Sequence, residues 1–191
     1  MHGIVGILLA GGASRRFGSN KLKQLLPTGE AVAVCACRNL LAACDRVLVV
    51  LSTDNQELAT ALAELGAECL ICPDAELGMG HSLRFGIANS RSAQGWLIAL
   101  ADMPWISPST LGQLSAALKH GAQLIAPSYL QQRGHPVGFC QKFGPELLQL
   151  TGDQGAKALL NLYAADLQLL ETNDPAILWD IDFTADLNKH P

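Results

Sequence analysis

Short apolar runs alternate with helical patterns as far as residue 127. Runs rich in valine, isoleucine and leucine predict strands at residues 3–10, 46–52, 68–72, 95–101 and 123–127. Ala, Val and Leu at three- and four-residue spacing predict a helix at residues 31–44, and further helices are predicted at residues 55–65, 82–90 and 107–119. The last of these begins with Ser107 as the capping residue and Pro108 in the first turn. Strands that are apolar throughout and separated by helices are typical of a mostly parallel sheet with both faces covered. The pattern therefore predicts an α/β fold.

The rhythm becomes irregular after residue 127. Residues 131–136 are polar and turn-prone, a short strand is predicted at residues 137–140, and two short helices follow. The sequence contains no low-complexity linker and no evident internal repeat, and its length suits one domain with a substantial core. We therefore expect a single domain over residues 1–191, with an irregular elaboration at about residues 128–160.

Composition narrows the classes of function. Apolar residues make up 49% of the chain and charged residues 16%, which is typical of a globular protein. The net charge of −4 disfavours nonspecific binding to nucleic acid. No apolar run approaches the roughly 20 residues that a membrane helix needs. Because no basic region precedes the first apolar segment, no signal peptide is expected, and a cytoplasmic location is predicted.

One pair of cysteines has a spacing found in redox and zinc sites. Cys69 and Cys72 form a C-x-x-C. The pair lies in an apolar segment, and the sequence contains no second C-x-x-C and no H-x-x-x-H that would complete a zinc site. Since a free cysteine behaves as a small hydrophobic residue, buried structural thiols are the favoured interpretation.

A glycine-rich, cationic loop follows the first predicted strand. Residues 9–21 read Leu-Ala-Gly-Gly-Ala-Ser-Arg-Arg-Phe-Gly-Ser-Asn-Lys. Glycine lets backbone N–H groups approach a ligand closely, and the cations suit a polyanion. A Walker A loop is excluded because Lys21 does not directly follow Gly18, and the glycine spacing does not fit a dinucleotide fingerprint. The loop predicts binding of a nucleoside triphosphate; the alternative is a solvated surface turn.

Two further polar segments follow predicted strands. They are the turn at residues 78–82 and Asp102, which comes after six apolar residues. Ligands of open α/β sheets bind at the carboxyl ends of the strands, so both are expected beside the glycine-rich loop. Mg²⁺ is commonly held by one or two carboxylates together with substrate phosphates, which suits Asp102. The alternative role of Asp102 is to cap a helix or turn.

A late acidic cluster contains Asp180, Asp182 and Asp186. These residues form either a solvated face or helix cap, or one of them completes the metal site.

Five ordered motifs give the chain a resemblance to a known family. The opening loop is similar to the signature L-A-(A/G)-G-x-S-x-R-x-G-x-x-K, with matches at Leu9, Ala10, Gly11, Gly12, Ser14, Arg16, Gly18 and Lys21. The other motifs resemble G-M-G-x-S-L at residues 78–83, G-D-M-P at 101–104, R-G-H-P-V at 133–137 and G-D-x-G-A-R at 152–157. The chain resembles the MobA-like NTP transferases, and among them most closely the molybdenum-cofactor cytidylyltransferases.

The resemblance implies a fold, a metal and a reaction. The implied fold is a Rossmann-like, three-layer nucleotidyltransferase fold, and the implied cofactor is Mg²⁺. The implied reaction moves CMP or GMP from CTP or GTP to the terminal phosphate of a molybdopterin-type acceptor and releases pyrophosphate. The resemblance also leaves room for transient contact with molybdoenzymes or their chaperones.

The resemblance implies roles for individual residues as well. The expected catalytic residues are Lys21, Arg16 and Asp102, and the expected metal ligands are Asp102 and Asp182. The expected nucleotide-binding residues are Leu9, Ala10, Gly11, Gly12, Ser14, Arg16, Lys21, Gly80, Ser82 and Asp102. The expected acceptor-binding residues are His81, Arg133, His135, Asp153 and Lys157.

Departures from the family pattern leave the substrate open. Gly11 gives L-A-G-G, which is more typical of the guanylyltransferase branch, whereas the later motifs favour cytosine, so both CTP and GTP are retained. Lys157 replaces a usual arginine, and the tail reads D-I-D-F-T-A-D where D-I-D-T-P-E-D is usual. Two other functions remain: a nucleotidyltransferase for a sugar or polyol phosphate, and a non-catalytic carrier of nucleotide or cofactor.

Overall fold

The computed structural model describes residues 3–12 and 20–188, and within them an eight-stranded sheet is covered by helices. The strands are β1 (Ile4–Ala10), β2 (Arg46–Leu51), β3 (Glu68–Ile71), β4 (Gly95–Leu100), β5 (Leu124–Tyr129), β6 (Gln132–Arg133), β7 (Val137–Cys140) and β8 (Leu167–Glu171). The α-helices are α1 (Val32–Leu41), α2 (Ala59–Glu64), α3 (Met79–Ala88), α4 (Pro108–Lys119), α5 (Gly144–Leu147) and α6 (Lys157–Leu162).

The sheet is mostly parallel, as predicted. Its order is β3-β2-β1-β4-β7-β5, and β1 to β4 run in the same direction. Only β7 and the short β6 pair antiparallel to their neighbours in the described sheet, and β7 lies between β4 and β5. Strand β8 pairs parallel with β5 along its other edge. The carboxyl ends of β1, β4, β5 and β8 therefore point to one side of the molecule.

The two faces of the sheet carry separate hydrophobic cores. Alternate residues of β1 pack into opposite cores, with Ile4 and Leu8 in one and Val5 and Ile7 in the other. Helices α1, α2 and α4 contribute to the first core, and α3, α5 and α6 to the second. A sheet buried on both faces explains why its central strands are apolar throughout, and it gives the Rossmann-like, three-layer architecture that the resemblance implied.

Several element boundaries differ from the predictions. Helix α3 begins at Met79, three residues before the predicted start, so most of the turn at residues 78–82 is itself helical. The predicted helix at residues 55–65 is a 3₁₀ helix, Thr53–Leu58, followed by α2. Strand β8 was not predicted, because an exposed strand at the edge of a sheet lacks a continuous apolar run. The short strand predicted at residues 137–140 is β7, whereas the other strand of this segment, β6, lies in a stretch predicted to be a turn.

All six cysteines are free thiols. Cys72 is buried, as predicted, but Cys69 is only half-buried because β3 forms an edge of the sheet. Burial raises the pKa of both thiols, which keeps them protonated at neutral pH.

None of the helices in the described part of the chain combines the length and the apolar character that crossing a membrane requires.

Candidate active site

A cleft of about 730 Å³ opens on the side of the sheet where β1 and β4 end. Residues of the glycine-rich loop, of the turn at residues 78–82 and of the end of β4 all line it, so the three polar segments meet at one edge of the sheet. The cleft is lined by Leu9, Gly11, Gly12, Lys21, Leu22, Ser52, Asp54, Ala75, Glu76, Gly78, Met79, Ser82, Leu100, Asp102 and Asp153.

Gly11 lies directly against helix α3. A Cβ atom at this position would be 2.9 Å from Ser82 Oγ and 3.3 Å from Ala75 Cβ. Ser82 is itself buried. The strand end and the helix start therefore approach each other closely only because residue 11 has no side chain.

Lys21 is held between two carboxylates and a backbone carbonyl. Its Nζ atom lies 2.7 Å from Asp102 Oδ2 and 3.4 Å from Asp182 Oδ1. The ammonium also donates a hydrogen bond of 2.7 Å to the carbonyl oxygen of Ile181, and its side chain is only 13% exposed. Burial alone would lower the pKa of Lys21, but the charges and hydrogen bonds of the two aspartates outweigh it, so the pKa is raised. Lys21 is therefore a fixed positive charge at neutral pH.

Asp102 carries an oxygen atom suited to a further ligand. While Oδ2 pairs with Lys21, Oδ1 is buried and has no hydrogen-bond partner among the described residues. An unsatisfied buried acceptor costs about 1–3 kcal/mol, which a bound cation would offset. With Asp182 close by, the donors fit a Mg²⁺ site of two carboxylates that substrate phosphates complete. The described residues contain no cluster of three or more His, Cys, Asp or Glu that would hold a metal by themselves.

The acidic tail is folded back onto the end of β4. The N–H of Ile181 donates to the carbonyl oxygen of Asp102 at 3.0 Å. Asp186 is buried, and its Oδ2 accepts from the N–H groups of Asp182 at 3.0 Å and Phe183 at 2.7 Å. Asp186 is therefore the capping residue of the cluster, and the turn that it caps brings Asp182 to Lys21.

Asp180 is the exposed member of the same tail. Although Asp180 is accessible to solvent, partial desolvation of its carboxyl group and the nearby charges of Asp182 and Asp102 raise its pKa. The concentration of negative charge around Lys21 therefore extends beyond the two aspartates that contact it.

A buried amide joins the two ends of the glycine-rich loop. Asn55 Nδ2 donates to the carbonyl oxygen of Ala10 at 2.7 Å, and Asn55 Oδ1 accepts from Asn20 Nδ2. Asn20 Oδ1 also accepts from the N–H of Leu22, which caps the 3₁₀ turn Lys21–Lys23. An aspartate at position 20 would lack the donor that reaches Asn55. Sequence reasoning missed Asn55; its only signal was its position just after the buried strand β2.

The start of α3 interlocks with the turn at residues 151–155. Gly78 has φ 118°, and a Cβ atom there would collide with the backbone of Gly152. A Cβ atom at Gly80 would lie 2.8 Å from the carbonyl oxygen of Thr151. The imidazole Nδ1 of His81 accepts a hydrogen bond of 3.3 Å from the N–H of Gly152. Two motifs that are far apart in sequence therefore form one structural unit.

The expected acceptor-binding residues are distributed unevenly around the cleft. Asp153 lines it, whereas Arg133 on β6 and Lys157 at the start of α6 are exposed and are not among its described lining residues. His135 is not among them either. The backbone N–H of His135 donates to the carbonyl oxygen of Ile177 at 2.9 Å, and burial lowers the pKa of its imidazole. Its Nδ1 is buried without a partner among the described residues.

Other expected nucleotide-binding residues sit at the margins of the site. Ala10 and Gly80 are buried behind the cleft surface, Ala10 at the end of β1 and Gly80 against the turn at residues 151–155. Ser14, Arg16 and Gly18 lie outside the described residues.

The fold agrees with comparisons to known proteins. The family model for the MobA-like NTP transferase domain matches residues 6–169. The chain belongs to the MobA-like NTP transferase family. Purine catabolism protein PucB of Bacillus subtilis is 34% identical to this family member over 190 residues, which cover 94% of the chain and 91% of PucB. Nicotine blue oxidoreductase of Paenarthrobacter nicotinovorans is 29% identical over 189 residues, 94% of the chain and 92% of that protein.

Solved structures of other proteins share the fold. Rv0371c of Mycobacterium tuberculosis superposes with a TM-score of 0.81 at 27% identity, covering 97% of this chain and 95% of its own. The same protein has been solved in complex with manganese, with a TM-score of 0.73, 25% identity, and coverage of 89% and 88%. A divalent metal is therefore found in a homologue, and the MobA-like NTP transferase family supports nucleotidyl transfer as the general activity.

Proposed function

We propose that the protein is a Mg²⁺-dependent nucleotidyltransferase that moves CMP or GMP from CTP or GTP to the terminal phosphate of a molybdopterin-type acceptor. The observation that carries this proposal is the pair of Lys21 and Asp102 in a cleft beside the glycine-rich loop, with Asp182 in contact with Lys21. Family membership supports the nucleotidyl transfer. The R-G-H-P-V and G-D-x-G-A-K segments, which resemble cytidylyltransferase motifs, support the acceptor.

In the proposed reaction, an oxygen of the acceptor phosphate attacks the α-phosphorus of the triphosphate in line. A new P–O bond forms, the bond to the bridging oxygen between the α- and β-phosphorus atoms breaks, and pyrophosphate leaves with the electron pair. The acceptor phosphate is already ionised near neutral pH, so no general base is needed. Positioning and neutralisation of charge supply most of the acceleration.

The chain supplies the groups for that charge neutralisation. Lys21 would stabilise the departing pyrophosphate together with Arg16, which the opening motif places in the same loop. Asp102 and Asp182 would hold the divalent ion, which supplies Lewis-acid stabilisation to the phosphate oxygens when bound. The absence of a side chain at Gly11 lets the end of β1 approach Ser82 of helix α3 at the cleft surface.

The remaining assignments belong to the same proposal. The nucleotide would contact Leu9, Gly12, Ser14 and Ser82, with Ala10 and Gly80 shaping the backbone behind them. The acceptor would contact Asp153, with His81, Arg133, His135 and Lys157 on its side of the site. The chain would act as one domain over residues 1–191 in the cytoplasm.

Turnover assays test the proposal directly. Pyrophosphate release is measured with CTP and with GTP, each with purified molybdopterin cofactor or with a panel of sugar and polyol phosphates. We expect Asp102→Asn to lower the metal-dependent rate by about 10²–10³-fold. Asp166→Asn, which changes an exposed aspartate before β8, serves as the matched control and should leave the rate unchanged.

Three outcomes contradict parts of the proposal. Full metal-dependent turnover by Asp102→Asn would refute the metal assignment. Turnover with a sugar or polyol phosphate but not with the molybdopterin cofactor would refute the proposed acceptor and identify a nucleotidyltransferase for a sugar or polyol phosphate. Tight binding of nucleotide without pyrophosphate release for any acceptor would identify a carrier.

A further inference from the structure

The oxygen atoms around the Lys21 ammonium form a cation site that is already filled. Nζ is surrounded by Asp102 Oδ2 at 2.7 Å, the carbonyl oxygen of Ile181 at 2.7 Å and Asp182 Oδ1 at 3.4 Å. Carboxylate and carbonyl oxygens are also the ligands that hard divalent cations prefer. A divalent cation that is bound by Asp102 Oδ2 and Asp182 Oδ1, in addition to the open Asp102 Oδ1, would therefore compete with Lys21 for two of its oxygen atoms.

We propose that Lys21 closes the metal site in the nucleotide-free protein and that nucleotide binding opens it, so that the divalent cation enters only with the triphosphate. This inference rests on the proposed function, because it takes Asp102 and Asp182 as the metal ligands. It gives Lys21 a positioning role before the reaction, in addition to the phosphate contact proposed above.

The triphosphate provides the reason for Lys21 to move. The lysine ammonium is a compact charge on a flexible four-carbon stem, so it can turn from one anionic partner to another without moving the backbone. A bound triphosphate offers it a larger negative charge than the two aspartates do. Once the ammonium has left, Asp102 and Asp182 face the same vacated point as like charges, and a divalent cation relieves their repulsion.

The backbone that carries these oxygen atoms is held by contacts that do not involve Lys21. The carbonyl of Asp102 accepts from the N–H of Ile181 at 3.0 Å. The buried Asp186 fixes the N–H groups of Asp182 and Phe183 at 3.0 and 2.7 Å. Because this backbone frame is independent of the lysine, removing the ammonium leaves the Ile181 carbonyl and the backbone of both aspartates in place, so both carboxylates stay within reach of a cation. Loss of Lys21 should therefore expose a metal site, whereas an ordinary structural lysine would expose none.

The test is a titration with Mn²⁺ in the absence of nucleotide, in which the electron paramagnetic resonance signal reports the concentration of free Mn²⁺. Lys21→Met removes the competing charge and keeps the apolar stem. We expect it to bind Mn²⁺ at least about tenfold more tightly than the wild type. Lys23→Met is the matched control, because Lys23 lies in the same 3₁₀ turn but pairs with Glu57. It should bind Mn²⁺ as the wild type does.

Two further measurements complete the design. Adding Asp182→Asn to Lys21→Met should abolish the gain in Mn²⁺ affinity, since it removes one of the two carboxylates. In the wild type, CTP or GTP should increase Mn²⁺ binding beyond the sum of what the protein and the nucleotide bind separately. This wild-type measurement, together with Lys21→Gln, decides the question if Lys21→Met does not fold.

The outcomes separate this inference from the proposed function. If Lys21→Met binds Mn²⁺ no more tightly than the wild type, and binding still requires Asp102, the gating role of Lys21 is overturned while the metal assignment stands. If neither the wild type nor Lys21→Met binds Mn²⁺ with or without nucleotide, the gating role and the metal assignment are both refuted. A wild type that binds Mn²⁺ tightly without nucleotide also overturns the gating role.

Discussion

Replacing Asn55 with alanine would test whether one buried amide holds both ends of the glycine-rich loop. Asn55 is 1% exposed, and its two hydrogen bonds reach Ala10 on one side of the loop and Asn20 on the other. Alanine removes both bonds, at about 1 kcal/mol each, and leaves the buried Ala10 carbonyl unsatisfied at about 1 kcal/mol more. We expect the free energy of unfolding to fall by about 3 kcal/mol.

Urea denaturation measures this loss. With a slope of about 2 kcal/mol/M, the midpoint should move down by roughly 1.5 M. Asn89→Ala is the control, because the exposed Asn89 also donates one amide hydrogen bond, of 2.9 Å, to the carbonyl oxygen of Phe85. Asn89→Ala should lower the free energy of unfolding by no more than about 1 kcal/mol, since water can replace the lost hydrogen bond.

Nucleotide affinity provides the second readout for Asn55→Ala. An unanchored loop must be ordered when the triphosphate binds, so the affinity for CTP or GTP should fall in addition to the stability. Isothermal titration at a temperature where the variant is fully folded separates the two effects. The role of Asn55 is refuted if Asn55→Ala lowers the free energy of unfolding by no more than Asn89→Ala does. It is also refuted if Asn55→Ala lowers the stability but leaves the nucleotide affinity unchanged.

Two other predictions concern polar contacts outside the metal cluster. A hydrogen bond from Lys119, aided by one from the N–H of Ile4, lowers the pKa of Asp45. The ionised carboxylate therefore stabilises the folded protein above the ordinary aspartate pKa of about 3.9. This stabilisation is lost as the pH falls through the lower pKa of the folded state. Asp45→Asn should therefore cost about 0.5–1 kcal/mol at pH 7, allowing for solvent screening of this half-exposed pair, and progressively less in urea titrations toward about pH 3. His81→Ala should speed hydrogen exchange of the Gly152 amide by about five- to tenfold. His81→Asn should restore the protection because Asn Oδ1 can replace imidazole Nδ1, and equal exchange in both variants would refute the contact.

Local sequence signals were sufficient for most of the fold. The apolar runs predicted β1, β2 and β4 to within one or two residues, because both faces of these central strands are buried. The Ser-Pro start of α4 was also predicted: Ser107 Oγ accepts from the N–H of Thr110 at 3.1 Å. Such features depend on neighbours within a few residues, so the sequence itself displays them.

Features that depend on distant partners could not be predicted in the same way. Asn55 contacts residues 35 and 45 positions away, and its sequence neighbourhood indicates only a helix start. The three aspartates of the tail look alike in sequence, but folding divides them into the capping Asp186, the Lys21 partner Asp182 and the exposed Asp180. Strand β8 is recognisable only through its pairing with β5.

The insertion of the reversed strand β7 between β4 and β5 affects how the protein is made. A growing chain can pair β1 to β4 as soon as residue 100 emerges, but β5 cannot join the sheet until residues 137–140 have been added. Lys21 and Asp182 are separated by 161 positions, so their contact closes one of the longest loops in the molecule. The proposed metal site therefore cannot form until residue 182 has been synthesised, long after the glycine-rich loop that precedes it in the chain.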